Sequence, residues 1–309
     1  MSKTALLFAG QGAQVVGMGK DLAEKFPSAR AWFDRANAAL GYDLAAVCFN
    51  GPDAELTKTE NAQPGIFLVS WIAFQLLKEQ AALLKFDATA GLSLGEFTAL
   101  AAAGAMSFED GLLVVRQRGK FMQEACEATH GGMAAVIGLG EAATREVCAQ
   151  AGVVLANLNC PGQLVISGEA GKIAAALDLA RAKGARKAIP LPVAGAYHSP
   201  LMAGAQPKLQ AELAGINITA PAVPVISNVS ALPHGTPGGI RGRLVEQVTS
   251  SVLWEQSMRM LLAQGFTRFI ELGPGTALSG FMKRIDKKAQ MLNVADVASL
   301  EATIKTLAN

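Results

Sequence analysis

Two kinds of residue in this 309-residue chain stand in patterns that can carry chemistry: a serine between glycines and a histidine. Gly91-Leu92-Ser93-Leu94-Gly95 matches G-x-S-x-G at a point where a short apolar segment passes into residues that favour helix. In that setting the glycines permit a tight turn that pushes the serine hydroxyl outward. The following helix aims its N-terminus at a reacting carbonyl, and the Leu94 amide can donate to an oxyanion. The same segment also fits a plainer role, a glycine-rich turn whose serine caps a helix. The strand–turn–helix setting favours the nucleophile.

Serine needs a neighbouring base to be a useful nucleophile at neutral pH. The sequence offers His130, His198 and His234. His130 adjoins Gly131-Gly132, and His234 lies in the run LPHGTPGG, so both read as solvated loop residues. His198 sits in Gly195-Ala196-Tyr197-His198-Ser199-Pro200, just past an apolar segment. The competing role for His198 is to cap the helix that begins near Pro200. No acidic residue has an evident claim to orient the imidazole, a task that a backbone carbonyl can also perform.

Positioning these groups requires a framework, and hydropathy periodicity supplies one. Residues 4–9 read as a buried strand closed by Gly10, 19–40 and 64–85 as helices, and 87–92 as a strand before the serine. Residues 96–103 read as helix. The middle of the chain then gives strand 133–139, helix 141–151, strands 153–158 and 163–167, helix 171–183 and strand 186–193. That βαββαβ order is the ferredoxin-like pattern. Beyond it follow helix 199–214, strand 223–228, mostly helix over 242–263, and strand 268–272 ended by Gly273-Pro274-Gly275. The expected architecture is an α/β core made of residues 1–129 and 196–309, interrupted by a small α+β unit at 130–195.

Composition fits a packed enzyme-like core: 51% of residues are hydrophobic and 17% charged. A net charge of +2 gives no case for nucleic acid or for a membrane surface. Cys48, Cys126, Cys148 and Cys160 are far apart, as suits reduced thiols packed as small apolar residues. The histidines lack ligand spacing, so no metal is expected. The apolar stretch 5–9 is too short for a signal-peptide core, and no run approaches the ~18 apolar residues of a membrane span. The protein is expected to be soluble and cytoplasmic.

Three segments together resemble the malonyl-CoA:acyl carrier protein transacylase family: Gly10-Gln11-Gly12-Ala13-Gln14, Gly91-Leu92-Ser93-Leu94-Gly95-Glu96, and Ala196-Tyr197-His198-Ser199-Pro200-Leu201-Met202. The stretches RGKFMQ at 118–123, NCPGQLVIS at 159–167 and ELGPG at 271–275 look like that family too. The resemblance implies an α/β-hydrolase-like core with an inserted ferredoxin-like subdomain. It implies that Ser93 forms an acyl-enzyme, that His198 acts as base and then acid, and that the amides of Gln11 and Leu94 make the oxyanion hole. It further implies that the Gln247 carbonyl orients His198, and that Arg118, Asn159 and Gln163 bind substrate. A guanidinium fork gives two charge-assisted hydrogen bonds to a carboxylate, so Arg118 would favour malonyl over acetyl groups. Arg116 is its nearby competitor, and the plainer role for either is a surface ion pair on a long helix.

The chain departs from the family at Leu92, where histidine usually precedes the nucleophile; leucine makes that wall apolar. Tyr197 stands where malonyl-selective relatives commonly carry phenylalanine, and its ring would disfavour branched acyl groups. The implied substrates are malonyl-CoA and acyl carrier protein, in fatty acid biosynthesis, with a monomeric enzyme and no cofactor beyond the coenzyme A thioester. Carrier proteins of this type are acidic, which calls for a basic docking surface. Lys283 and Arg284, with Lys287 and Lys288, form one basic cluster, and Lys183, Arg186 and Lys187 a second. Either cluster also fits an ordinary solvated face.

Overall fold

The computed structural model describes residues 3–81 and 83–308. Positions 1, 2, 82 and 309, which fall in the ranges assigned above to the core and to helix 64–85, lie outside the described residues. In chain order the strands are β1 (Lys3–Phe8), β2 (Ala88–Gly91), β3 (Gly131–Ile137), β4 (Val154–Cys160), β5 (Gln163–Glu169), β6 (Lys187–Pro190), β7 (Val225–Ile226), β8 (Phe266–Leu272) and β9 (Gln290–Val294).

A parallel sheet forms in the order β7-β2-β1-β8-β9, with β1 at its centre. The reason is visible in β1, which is apolar on both faces. Leu6 and Phe8 enter one core with the helix Thr59–Gln80, while Ala5 and Leu7 enter another with Trp254 and Phe269. A strand buried on both sides reads as a continuous apolar run and suits a parallel sheet covered by helices. Register pairs Phe8 with both Gly91 and Leu272, so three strands end level. The loops leaving them, at Gly10, Leu92 and Gly273, therefore gather at one edge, where open α/β sheets bind their ligands.

The segment between β3 and β6 makes a second, antiparallel sheet in the order β4-β5-β3-β6. Helices Glu141–Ala151 and Ala170–Ala182 cover it, around a separate core that includes Val136, Leu155, Ile166 and Leu177. Backbone bonds of 3.0 Å from Leu158 to Val252 and 2.8 Å from Val252 to Ala156 tie this sheet to the rest of the chain. All four cysteines are free and buried. No helix among the described residues is long and apolar enough to cross a membrane.

Several expected elements have different bounds. The helix over 19–40 is two, Lys20–Lys25 and Pro27–Leu40. Phe26 between them is extended (φ −117°), because the residue before proline is pushed out of the helical region. The helix expected from Pro64 starts at Thr59 and carries Pro64 inside it. The stretch 199–214 begins as the 3-10 helix Pro200–Ala205 before Gln206–Gly215, and 242–263 divides into Pro237–Gln247 and Trp254–Ala263. Strand 186–193 shortens to β6.

The two glycines flanking Ser93 are required by contact. A Cβ on Gly91 would lie 1.9 Å from the Gly95 backbone, and one on Gly95 would lie 2.2 Å from the Phe8 carbonyl oxygen. Strand and helix can meet at this turn only without side chains there. Gly104 is the useful contrast: its φ is +77°, but nothing lies within 4 Å of its Cβ position. Gly104→Ala is expected to cost about 1 kcal/mol, the left-handed penalty alone. Gly95→Ala is expected to cost about 3 kcal/mol or to prevent folding, because rigid backbone must move. Urea unfolding of the two variants measures the difference.

Candidate active site

The turn after β2 places Ser93 in a left-handed conformation, φ +50°, which an L-residue adopts only under constraint. The constraint is hydrogen bonding on both sides of the residue. The Ser93 amide donates to Asn228 Oδ1 at 2.6 Å, and the Ser93 carbonyl accepts from Gln247 Nε2 at 3.0 Å. Asn228 also donates to the Gly91 carbonyl at 2.8 Å, so it grips the elbow twice. Leu92 is half-buried and packs on the cluster that contains Ile226 and Trp254.

Ser93 Oγ lies 2.8 Å from His198 Nε2. His198 also has a positive φ, +56°, and it precedes a 3-10 turn capped by Ser199. The segment is wedged in place: a Cβ on Gly195 would meet Cys126 Sγ at 2.3 Å, and one on Gly131 would meet Ala196 at 2.6 Å. On its other side the imidazole Nδ1 is 2.9 Å from the Gln247 carbonyl oxygen. A carbonyl there accepts, so Nδ1 carries the proton and Nε2 faces the serine as an acceptor. Burial, and next the Arg118 cation, push the His198 pKa down to about 4, against the backbone bonds to Gln247 and Ser250. The ring is therefore a neutral base at neutral pH.

Arg118 comes from the middle of the helix Phe108–Ala128, which Ser107 caps by accepting from the Asp110 amide. It is 1% exposed, which excludes the surface ion pair. Its Nη2 donates to Ser93 Oγ at 3.1 Å and to Gln247 Oε1 at 3.0 Å, and its Nη1 donates to Gln63 Oε1 at 2.8 Å. The guanidinium carbon stands 5.4 Å from the centroid of the Phe97 ring. Among the described residues its Nε has no acceptor. Desolvation lowers its pKa to about 10, which leaves it charged at neutral pH. Arg116 instead reaches the Leu40 carbonyl and the Tyr42 ring.

Gln11 follows Gly10, whose Cβ position is 2.4 Å from the Leu92 carbonyl oxygen, so the first loop lies against the elbow. Among the described residues neither the Gln11 nor the Leu94 amide has an acceptor. Asn159 is buried and its Oδ1 has no partner among the described residues. Gln163 is half-buried at the start of β5 and accepts from exposed Arg284 at 3.2 Å. Lys283 and Arg284 occupy the exposed last turn of the helix Ala277–Ile285. Tyr197 is buried, and its hydroxyl lies 2.9 Å from Thr59 Oγ1.

One sequence reading is corrected. His130 is exposed, as a loop residue should be, but His234 is 2% exposed and its Nε2 lies 2.5 Å from Glu96 Oε1. Its Pro/Gly-rich neighbours give no hint of this, because the partner is remote in sequence. Asn228, Gln63 and Glu96 also contact the site without having been singled out. The Gln247 side chain was missed, although its carbonyl was not.

Residues 5–303 match the family described as the acyl transferase domain. The chain is 45% identical over 312 residues to the malonyl CoA-acyl carrier protein transacylase of Bacillus subtilis, covering 99% of this chain and 98% of the relative. It is 42% identical over 290 residues to the enzyme of that name from Escherichia coli K12, covering 92% and 93%. A solved malonyl CoA-acyl carrier protein transacylase from Coxiella burnetii superposes with a TM-score of 0.96 at 37% identity, covering 100% and 98%. A malonyl-transacylase solved in complex with a type II polyketide-synthase acyl-carrier protein gives 0.95 at 36%, covering 99% and 100%.

The His198 pKa fixes a pH dependence. A serine-directed sulfonyl fluoride should label Ser93 at a rate that falls only as pH drops through about 4, where the folded-state ring gains its proton. Arg118→Met removes one of the two causes of that depression and should move the limb upward. A wild-type limb at the ordinary 6.5 would contradict the neutral buried base. Stability has the matching sign. The unfolded chain takes up this proton near pH 6.5 and the folded chain only near 4, so acidification across that interval costs stability.

Proposed function

The chain belongs to the malonyl-CoA:acyl carrier protein transacylase family and is an acyltransferase, and from that premise we propose that it moves a malonyl group from coenzyme A to the phosphopantetheine thiol of acyl carrier protein. The observation that carries this reading is the buried Arg118 guanidinium within hydrogen-bond reach of Ser93 Oγ. A malonyl ester on Ser93 holds its free carboxylate one methylene away from the ester carbonyl. A cation beside the nucleophile is where that carboxylate falls. An acetyl group would leave the buried charge unpaired, which is the costly case.

The reaction is ping-pong. Ser93 Oγ attacks the thioester carbonyl while His198 Nε2 takes its proton. The oxyanion is stabilised by the Gln11 and Leu94 amides and by the helix that opens at Gly95. The C–S bond then breaks, and coenzyme A leaves as the thiol with the proton from His198. In the second half the carrier thiol gives its proton to His198 and its sulfur attacks the malonyl ester. Ser93 leaves and regains the proton. The Gln247 carbonyl holds His198 through both halves, the part that a carboxylate plays in a Ser-His-Asp triad. Thioester is exchanged for thioester, so the site's main task is to keep water from the intermediate.

In this reading Asn159 of β4 and Gln163 of β5 contact the acyl-pantetheine chain. Lys283 and Arg284 receive the acidic carrier protein. The two sheets correspond to an α/β-hydrolase-like catalytic unit, 1–129 and 196–309, and a ferredoxin-like unit, 130–195. The strand order β4-β5-β3-β6 with its βαββαβ succession supports the second assignment. The enzyme acts as a cytoplasmic monomer in fatty acid biosynthesis and needs no cofactor besides its thioester substrate.

The test compares acyl groups in wild type and Arg118→Ala, with carrier protein as acceptor. The kcat/KM for malonyl-CoA should fall roughly 100-fold, with a much smaller loss for acetyl-CoA. An unchanged malonyl-to-acetyl ratio would remove Arg118 from the substrate site. Wild-type release of free malonate faster than transfer to the carrier would make the protein a hydrolase.

A further inference from the structure

Behind the nucleophile lies a buried ion-pairable couple that the transfer mechanism above does not use. Glu96 follows the elbow by one residue, is fully buried and meets no lysine or arginine directly among the described residues. Its two oxygens accept from three places. Oε1 faces His234 Nε2 at 2.5 Å, while Oε2 accepts from the Asn228 amide at 2.9 Å and from Gln247 Nε2 at 2.8 Å. An ionised Glu96 accepts at Oε1, and that assigns the donor N–H of this contact to His234 Nε2.

The two groups held by Oε2 are the ones that hold Ser93. Asn228 Oδ1 takes the Ser93 amide, and Gln247 Nε2 reaches the Ser93 carbonyl. Asn228 and His234 also bracket one tight loop. The Ser227 amide donates to Leu232, the Ala231 amide to Ser227, and the His234 amide to Val225. A single carboxylate thus fastens the loop at its beginning and at its end, and through Asn228 the loop fastens the elbow. A non-glycine residue at φ +50° persists only where its surroundings over-determine it.

We propose that the Glu96–His234 pair is a positioning device for acylation: it holds Asn228 and the Gln247 carboxamide against both sides of Ser93, so that Oγ stays in line with His198. The inference rests on the reading of Ser93 as the acylated nucleophile. Neither residue touches substrate. Loosening the pair lets the elbow relax toward ordinary backbone angles, and displacements of an ångström at a nucleophile slow chemistry steeply. Substrate binding is spared, because Arg118 keeps Gln63 and the Phe97 ring as further supports.

Rapid-quench kinetics with malonyl-CoA in the absence of carrier protein separate the quantities involved. Burst amplitude counts folded sites, burst rate reports acylation, and its concentration dependence reports binding. His234→Ala should slow the burst rate constant about tenfold or more, the usual effect of removing an outer supporting hydrogen bond. The half-saturating malonyl-CoA concentration should stay within about twofold, because Gln63 and the Phe97 ring still hold Arg118. His234→Gln, whose amide can offer an N–H where Nε2 stands, should recover most of the rate. A pair that merely stabilises the fold would lower the amplitude and leave the rate per site unchanged in His234→Ala. That result, or equal slowing by Ala and Gln, overturns the proposal. A wild-type enzyme without any burst would instead refute Ser93 acylation, and the inference would fall with it.

Discussion

The left-handed backbone of Ser93 is the constraint on which the rest of the site depends. A serine leaves that conformation at the first opportunity, since the strain amounts to roughly 1–2 kcal/mol. Three separate parts of the chain deny it the opportunity. Gly91 and Gly95 let strand and helix backbones touch, Asn228 takes the amide, and Gln247 takes the carbonyl. Behind them the level ends of β1, β2 and β8 fix where the elbow stands relative to the Gly10 loop. The hydroxyl is thereby presented at one point, within 2.8 Å of an imidazole and 3.1 Å of a guanidinium.

Gathering Arg118 and His198 in one buried place creates an electrostatic conflict. A buried arginine beside a buried histidine disfavours the protonated ring, so His198 stays a base far below its ordinary range. The arginine itself remains charged, supported by Glu96 at longer range and by carboxamide oxygens at short range. Two glutamines do much of this work because a carboxamide offers an acceptor on one side and donors on the other. Gln247 turns its oxygen to Arg118 and its nitrogen to Ser93 and Glu96, while its backbone carbonyl serves His198. A carboxylate in its place would have no N–H for Ser93 and would pair directly with the guanidinium.

The fold was legible in the sequence to the extent that it is local. The apolar run at β1, the strand–helix passage around Ser93 and the βαββαβ order between 131 and 190 all show as periodicity. Bounds failed where one residue overrode the period, as at Pro27, which pushes Phe26 out of the helical region so that the helix before it ends at Lys25. Pro64 did the reverse. It looked like a helix start, yet tertiary burial of nearly every neighbour carries the helix through it. Of the site, Ser93, His198 and Arg118 had signals in type and context. His234, Asn228 and Gln63 had none, because a single polar residue in a loop or helix gives no pattern, and its partner is fixed only when distant segments meet. His234 was misread for that reason: glycines and a proline around it describe a turn and say nothing about which side faces the core.

The most direct test of the account is the mass of the protein after brief exposure to malonyl-CoA without carrier protein, followed by peptide mapping. A Ser93 acyl-enzyme gives one malonyl group per chain, on the peptide that contains Ser93, discharged when the carrier thiol is added. Absence of the adduct, or its persistence in Ser93→Ala, would contradict it.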